Sequence, residues 1–500
     1  MKEIRLSLSM IVRDEEKNIV RCLDSVKEIV DEIVIVDTGS NDKTIELAES
    51  CGARVYNFPW VEDFSAARNF GISKCSGKFI LYLDADETLS AESIPVISKI
   101  LDQESSKAYS CILRNLTLEN EREYTGRYCR FFPNKEGIKF TGKVHEQIEP
   151  SLIELNIPVE TSNIEIIHHG YAEEFSVLKR KAERNLAILN SEFEASPNYY
   201  VAYQLGLTHS LLGNKEEAYH YFIRALNYPE IPKEYRYIST EFLVNYYLQR
   251  GDLVSAKAFL DRLFEIDPSV PSSYLLASKI YAAERNFDKA LMYAASCYEF
   301  NSIYNINNDK LINVKLDPLE ILFHGLHLSA YVQDPRYLNH FSSLLKKVSP
   351  SPVLDIIEKI RIQERLSGDD IAHIINDTKD NEVDVILVLL RNYIHTEIKQ
   401  SVLEFLYKRF ENNPNLLIQY SDTLFAKGNQ EEAIDLLEHR FADFSDNPAP
   451  AFYLISYYIE KSDFHKLELP LKFLEDNFSN DAEVISGLQK INEQIKIILN

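Results

Sequence analysis

The spacing of apolar and polar positions along the chain changes near residue 190. Before that point, short apolar runs alternate with stretches in which apolar residues recur at helical spacing. The apolar runs LSLSMIV, EIVIVD, ARVYNF and KFILYLD predict four strands. The stretches EEKNIVRCLDSVKEI, DKTIELAES and DFSAARNFGISKC predict amphipathic helices between those strands. Because strand and helix alternate, we expect an α/β domain with a mostly parallel sheet and right-handed crossovers.

After residue 195 the strand patterns fade, and small residues recur at intervals typical of tetratricopeptide repeats. Ala218, Ala256 and Ala290 lie 38 and 34 residues apart, close to the expected period of about 34. A later segment, SDTLFAKGNQEEAIDLLEHRF, repeats the pattern with Ala433. We therefore predict an α/β domain over residues 1–190, regular helical repeats over 195–300 and degenerate helical repeats over 305–500.

The amino-acid composition argues against some classes of function and some locations. The chain has 500 residues, of which 77 are acidic and 54 are Lys or Arg, for a net charge of −23. This acidic balance argues against broad nucleic-acid binding, which requires basic surface. The six cysteines are scattered without a CxxC pair, so we expect reduced thiols and a cytoplasmic protein. We also expect neither a secretion signal nor a membrane span, because no apolar run reaches about 18 residues.

Three carboxylates follow the fourth predicted strand, in the segment FILYLDADETL. Asp84, Asp86 and Glu87 lie close enough to repel one another, so either water solvates them at a turn or a cation holds them together. Asp37 ends the second predicted strand. Ligands of open parallel sheets bind beyond the carboxyl ends of strands, where both acidic segments lie. We expect Glu87 itself to be a surface or helix-start residue.

Four motifs together resemble the family 2 glycosyltransferases, which have a GT-A fold: SMIVRDEE, IVDTGSNDKT, FPWVEDFSAARNFG and LYLDADETL. The resemblance covers about residues 4–175. The segment GKVHEQI, followed by HHGY and tetratricopeptide-like helices, is similar to the sublancin-type peptide S-glycosyltransferases. The element F-x-G-x-V-H-E also occurs in lipopolysaccharide-core and flagellin glycosyltransferases. The resemblance implies a Rossmann-like GT-A domain before an all-α repeat domain, and an inverting transfer of sugar from a UDP-sugar.

The resemblance implies a donor site at the acidic turn. Asp84, with Ala85, would meet the ribose and the donor sugar, and Asp86 would bind a divalent metal ion, Mn²⁺ or Mg²⁺. His168 would be a further metal ligand, since His169 occupies a position at which relatives vary. A structural role for the histidine remains the alternative.

Other donor contacts are implied by the same motifs. Asp37 would accept a hydrogen bond from the base ring N–H, although a turn-capping role is the alternative. Asp63 and Arg68 would line the base and ribose pocket, unless they form a structural ion pair. The remaining implied donor contacts are Ile11, Val12, Arg13, Glu15 and Arg130, of which Arg130 would reach the diphosphate or the acceptor.

Glu146 in GKVHEQI is the candidate general base, which would accept the proton of the attacking acceptor group. His145 would share that task or orient the acceptor. A thiol acceptor would need less help, because Cys ionises readily. The implied acceptor is a Cys, Ser or Thr side chain of a peptide or protein bound through the helical repeats, and the repeats also offer a surface for a homodimer.

Two alternatives stay open at this point. The acceptor would be a saccharide or a lipid-linked molecule if the chain acts in cell-surface polysaccharide synthesis. The chain would be a scaffold if its repeats bind partners and its transferase domain is vestigial.

Overall fold

The computed structural model describes residues 3–103, 105–115, 124–169, 175–304, 316–445, 447–478 and 482–499. The described residues fall in two compact units, one up to Ser239 and the other from Thr240 onwards. All six cysteines are free thiols, as the sequence predicts. Among the described helices, none is both long enough and apolar enough to cross a bilayer.

The first unit contains a sheet of eight strands within the described residues. The strands are β1 Leu6–Val12, β2 Glu32–Asp37, β3 Arg54–Asn57, β4 Phe79–Tyr82, β5 Glu87–Leu89, β6 Ala108–Asn115, β7 Tyr124–Pro133 and β8 Val159–His168. Their order across the sheet is β3-β2-β1-β4-β7-β6-β8-β5. The four strands predicted from the apolar runs are parallel neighbours in it, which confirms that part of the expectation.

Short helices cover this sheet: α1 Ile19–Val26, α2 Thr44–Ser50, α3 Phe64–Ile72, α4 Ser93–Asp102 and α5 Glu149–Glu154. The residues of β1 that point to opposite faces are buried alike. Burial on both faces explains why the strand reads as a continuous apolar run rather than as an alternating one. Helix α1 buries Ile19, Cys22, Leu23 and Val26, the stripe that helical spacing predicts.

Helices follow the sheet in the first unit. They are α6 Phe175–Ala195, α7 Tyr199–Leu211 and α8 Lys215–Leu226, and α9 Lys233–Gln249 begins here. Helices α7 and α8 form a hairpin in which Gly206 lies against the Phe222 ring and Ala218 is fully buried. Small residues at such positions let paired helices approach closely, as tetratricopeptide spacing predicts.

The second unit is helical throughout its described residues. Its remaining helices are α10 Leu253–Ile266, α11 Pro271–Ala283, α12 Phe287–Ile303, α13 Pro318–Val332, α14 Pro335–Val348, α15 Val353–Arg361, α16 Gly368–Asp377, α17 Asp380–Arg391, α18 Thr396–Arg409, α19 Pro414–Ala426, α20 Gln430–Arg440, α21 Ala449–Glu460, α22 Glu468–Phe478 and α23 Ala482–Leu499, with short 3-10 turns at Phe441–Asp443 and Phe464–Lys466. Ala256, Ala290 and Ala433 are fully buried. The predicted fold class, an α/β domain followed by helical repeats, is confirmed.

Candidate active site

The acidic turn after β4 lies beside the end of β8. The Asp86 Oδ2 atom is 3.2 Å from Nε2 of His168, and the backbone N–H of His169 donates to the Asp86 carbonyl. The His169 ring instead lies 2.9 Å from the Thr88 hydroxyl. Of the two histidines, His168 is therefore the one whose side chain lies against Asp86. Gly170 and Tyr171 of the HHGY motif lie outside the described residues.

Asp86 and His168 are the residues that fit a metal ion. A carboxylate oxygen and an imidazole nitrogen are both donors that Mn²⁺ accepts. Within the part of the chain that the structure describes, no group of three or more His, Cys, Asp or Glu side chains is arranged to hold an ion. The pair therefore fits an ion that takes its other ligands from water and substrate phosphates, the usual mode for small divalent cations at diphosphates.

Asp84 belongs to a chain of alternating charges, formed by Glu87, Arg130, Asp84, Arg68 and Glu146. Arg68 donates from Nη2 to Asp84 Oδ1 over 2.7 Å and from Nε to the Glu146 carboxylate. Arg130 donates from Nη2 to Glu87 Oε1 over 2.8 Å, and its Nη1 lies 3.7 Å from Asp84 Oδ2. This charge chain links the acidic turn to the candidate general base.

The charge chain keeps Asp84 ionised. Burial by itself would raise the pKa of the Asp84 carboxyl, but the guanidinium groups of Arg68 and Arg130 hold that pKa well below its usual range. The Tyr82 ring lies close to both arginines, with its centroid 5.0 Å from the guanidinium carbon of Arg68 and 4.3 Å from that of Arg130. The ring offers its negative face to both cations.

Glu87 is not the surface residue that we expected from the sequence. It lies in β5, its exposed fraction is 2%, and burial raises its pKa even though Arg130 opposes the shift. The prediction is wrong because the strand pairing of β5 with β8 turns this carboxylate inward, where Arg130 compensates its charge. Arg130 is itself buried, and its Nε and Nη1 atoms have no hydrogen-bond partner among the described residues.

Two of the residues predicted to contact the donor accept hydrogen bonds from the backbone. Asp37 is buried at the end of β2 and accepts hydrogen bonds from the backbone N–H groups of Gly39 and Ser40. Asp63 accepts from the Ala66 N–H over 2.8 Å and caps α3. The alternative of an Asp63–Arg68 ion pair is wrong, because Arg68 is engaged by Asp84 and Glu146. Contacts of Asp37 and Asp63 with a donor stay predictions.

The predicted residues at the end of β1 lie at the same edge of the sheet. Val12 is in register with the last residue of β2, and Ile11 precedes it in the strand. Burial raises the pKa of Glu15, and the negative charge of Asp86 adds to that rise. Arg13 is exposed and lies 3.8 Å from Asp14. The structure therefore brings Glu15 near the acidic turn and leaves Arg13 in solvent.

Glu146 lies in a tight loop of residues 141–147, here called the Glu146 loop. Two backbone hydrogen bonds of 2.9 Å between Thr141 and Gln147 close the loop at its base. The N-terminus of α3 holds it from one side, since the Phe64 N–H donates to the Lys143 carbonyl over 2.9 Å. Within this loop, the Glu146 side chain pairs with Arg68, while the neighbouring His145 is exposed.

Residues 7–157 of the chain match glycosyl transferase family 2, and residues 199–230 match a tetratricopeptide repeat. A TPR repeat-containing protein of Synechococcus elongatus is 37% identical over 209 residues, which make up 40% of this chain and 51% of that protein. The SPbeta prophage-derived glycosyltransferase SunS of Bacillus subtilis is 29% identical over 268 residues, 52% of this chain and 62% of SunS. The chain thus spans between half and two thirds of these curated relatives.

Among solved structures, residues 1–349 of TarS from S. aureus match 60% of this chain and 93% of that chain, at 12% identity and a TM-score of 0.29. The family and repeat matches confirm the resemblance that the four motifs and the repeat spacing predict. Residues 7–157 are thus similar to glycosyl transferase family 2, and residues 199–230 are similar to a tetratricopeptide repeat.

Proposed function

We propose that this chain is a metal-dependent, inverting glycosyltransferase that moves a sugar from a UDP-sugar to a Cys, Ser or Thr side chain of a peptide or protein. One observation carries the proposal: at one edge of the sheet, Asp86 lies beside His168, and Asp84 is linked through Arg68 to Glu146. The match to glycosyl transferase family 2 supports the class of reaction. The acceptor class rests on the segment GKVHEQI and the helical repeats.

The strand-end residues would bind the donor. Asp86 and His168 would hold a divalent ion, which offsets the negative charge that the leaving diphosphate develops. Asp84 is ionised and partly exposed, so it is able to accept hydrogen bonds from sugar or ribose hydroxyls while Arg68 fixes its orientation. Asp37 and the backbone of Ile11 and Val12 would line the base at the neighbouring strand ends.

Glu146 would act on the acceptor. The acceptor oxygen or sulfur attacks the anomeric carbon from the face opposite the leaving group, and the bond between that carbon and the diphosphate oxygen breaks. The carboxylate of Glu146 takes the acceptor's proton, and UDP leaves with the bonding electron pair. The hydrogen bond from Arg68 would hold the Glu146 carboxylate in place before the acceptor arrives.

Mass spectrometry tests the proposal directly. The protein is incubated with Mn²⁺, a peptide that carries a single Cys or Ser, and UDP-glucose, UDP-N-acetylglucosamine or UDP-galactose in turn. We expect a mass increase of one sugar residue on the peptide, lost on addition of a chelator and restored by Mn²⁺. Transfer that persists fully after metal removal would contradict the metal-dependent mechanism, and failure to bind UDP with Mn²⁺ would contradict donor use.

A further inference from the structure

Both chain neighbours of Glu146 are held by tyrosines of the helices that follow the sheet. The Tyr200 hydroxyl on α7 donates to the His145 carbonyl over 2.7 Å. The Gln147 side-chain amide donates to the Tyr235 hydroxyl on α9 over 2.9 Å. The Tyr200 and Tyr235 rings also contact each other, with centroids 5.6 Å apart. The two tyrosines thus clamp the segment in which the candidate base lies.

The rest of the Glu146 loop is attached to the same helices. The Lys143 N–H donates over 3.1 Å to the Glu192 carboxylate on α6. Val144 is buried, and it packs in an apolar cluster with Val201 and Leu205 of α7. Residues 143, 144, 145 and 147 therefore each have a partner in α6, α7 or α9, while Glu146 itself is paired with Arg68 of α3.

The loop backbone needs such support. His145 has a φ of 53°, in the left-handed region that a non-glycine residue occupies only at an energetic cost. A strained conformation persists where the surroundings fix it, and the Tyr200 hydroxyl bonds to the carbonyl of that very residue. Without this bond, a shift of the peptide group after His145 would move the Glu146 side chain away from Arg68.

We infer that Tyr200 is a positioning residue for the general base, and that the first helices after the sheet complete the acceptor half of the site. This inference rests on the proposed function, since it assigns Tyr200 to the same reaction. The helices accordingly do more than present an acceptor, because they set the geometry of the proton-accepting carboxylate. A displacement of about 1 Å at a reacting group is enough to cost roughly 100-fold in rate.

Tyr200→Phe tests the inference, since it removes one hydroxyl and keeps the ring. We expect the transfer rate at saturating UDP-sugar to fall roughly tenfold, with no change in the KM for the UDP-sugar or in Mn²⁺-dependent binding of UDP. Hydrogen exchange at the Thr141 and Gln147 amides, which close the loop, should become faster. Tyr235→Phe removes the hydroxyl that accepts from the Gln147 side-chain amide. It should likewise lower the transfer rate and speed up exchange in the loop.

Tyr199→Phe is the matched control, because it removes the hydroxyl of the residue that precedes Tyr200 in α7. That hydroxyl makes no hydrogen bond within the described residues. It should leave both the transfer rate and loop exchange as in the wild type. An unchanged transfer rate and unchanged loop exchange in Tyr200→Phe would overturn the inference. A wild type that does not bind UDP with Mn²⁺ would overturn the proposed function, whereas faster loop exchange in Tyr200→Phe would still establish that Tyr200 braces the loop.

Discussion

The two halves of the candidate site are held in place by different means. Asp84 and Asp86 follow directly from a buried strand, and pairing of β5 with β8 brings His168 to them. The Glu146 loop lies outside the sheet strands, and its position depends on side chains of α3, α6, α7 and α9. The sheet brings the strand-end residues together, whereas the loop also needs residues of the helices that follow the sheet.

The largest expected effect is at the strand ends. Asp86→Ala removes the carboxylate that would hold the divalent ion, so we expect transfer to fall by about 1,000-fold, the loss of several kcal/mol of charge stabilisation. Thermal stabilisation by UDP with Mn²⁺ should disappear as well. Asp102→Ala, which removes an exposed carboxylate paired with Arg5, is the control. Near-normal transfer by Asp86→Ala would mean that the strand-end half does not use this residue.

A smaller loss is expected in the loop half. Glu146→Gln keeps the shape of the side chain but removes its ability to accept a proton, so transfer to a hydroxyl acceptor should fall by about 100-fold. Transfer to a thiol acceptor should fall less, because the thiol ionises readily, and UDP binding should be retained. Glu154→Gln, at an exposed glutamate of α5, is the control. Equal losses with both acceptors would argue against a proton-accepting role.

The dependence of the loop on its helices is testable through stability. A Cβ atom at Gly206 would lie 2.8 Å from the Phe222 ring, so Gly206→Ala should force α7 away from α8 and lower the free energy of unfolding by about 2 kcal/mol. Gly368→Ala is the control, since a Cβ there meets nothing within 4 Å. Thermal unfolding measures both variants. If Gly206→Ala also slows transfer well below its melting temperature, the helices contribute to the active site.

The smallest expected effect is at Asp63, where two substitutions distinguish capping of α3 from contact with the donor. Asp63→Ala removes the cap of α3 and should destabilise the protein by about 1 kcal/mol, whereas Asp63→Asn should preserve most of the capping. Chemical denaturation compares the two variants, and calorimetric titration with UDP measures donor affinity. Loss of UDP affinity in Asp63→Asn would show that this carboxylate contacts the donor in addition to capping the helix.

The strand-end half was the more predictable one. Alternating strand and helix patterns locate the ends of β1 and β2 at the observed residues and the end of β4 to within two residues. An acidic pair beyond a buried strand indicates a ligand site. The separation of His168 from His169 also follows the predicted preference. The positions of these residues at the strand ends are predictable because the relevant signals lie within a few residues of one another along the chain, whereas the cation site itself stays a prediction.

In the loop half, the sequence predicts Glu146 as a candidate residue but does not predict the residues that contact it. The pairing of Arg68 with Glu146 joins positions 78 residues apart, and that of Arg130 with Glu87 joins positions 43 residues apart. No local pattern encodes such contacts, and Glu87 was misjudged for that reason. Tyr200 was equally hidden, because aromatic residues in repeat helices serve mostly to fill space between helices.

The charge chain has a consequence for how this protein tolerates change. Each interior member, Arg130, Asp84 or Arg68, faces oppositely charged groups on both sides. Replacing one of them alone therefore removes one counter-ion from each of two neighbours in a poorly solvated setting. Sequence drift at these positions is therefore expected to require simultaneous substitutions. A redesign of donor preference should therefore retain the five residues of the charge chain or replace them together.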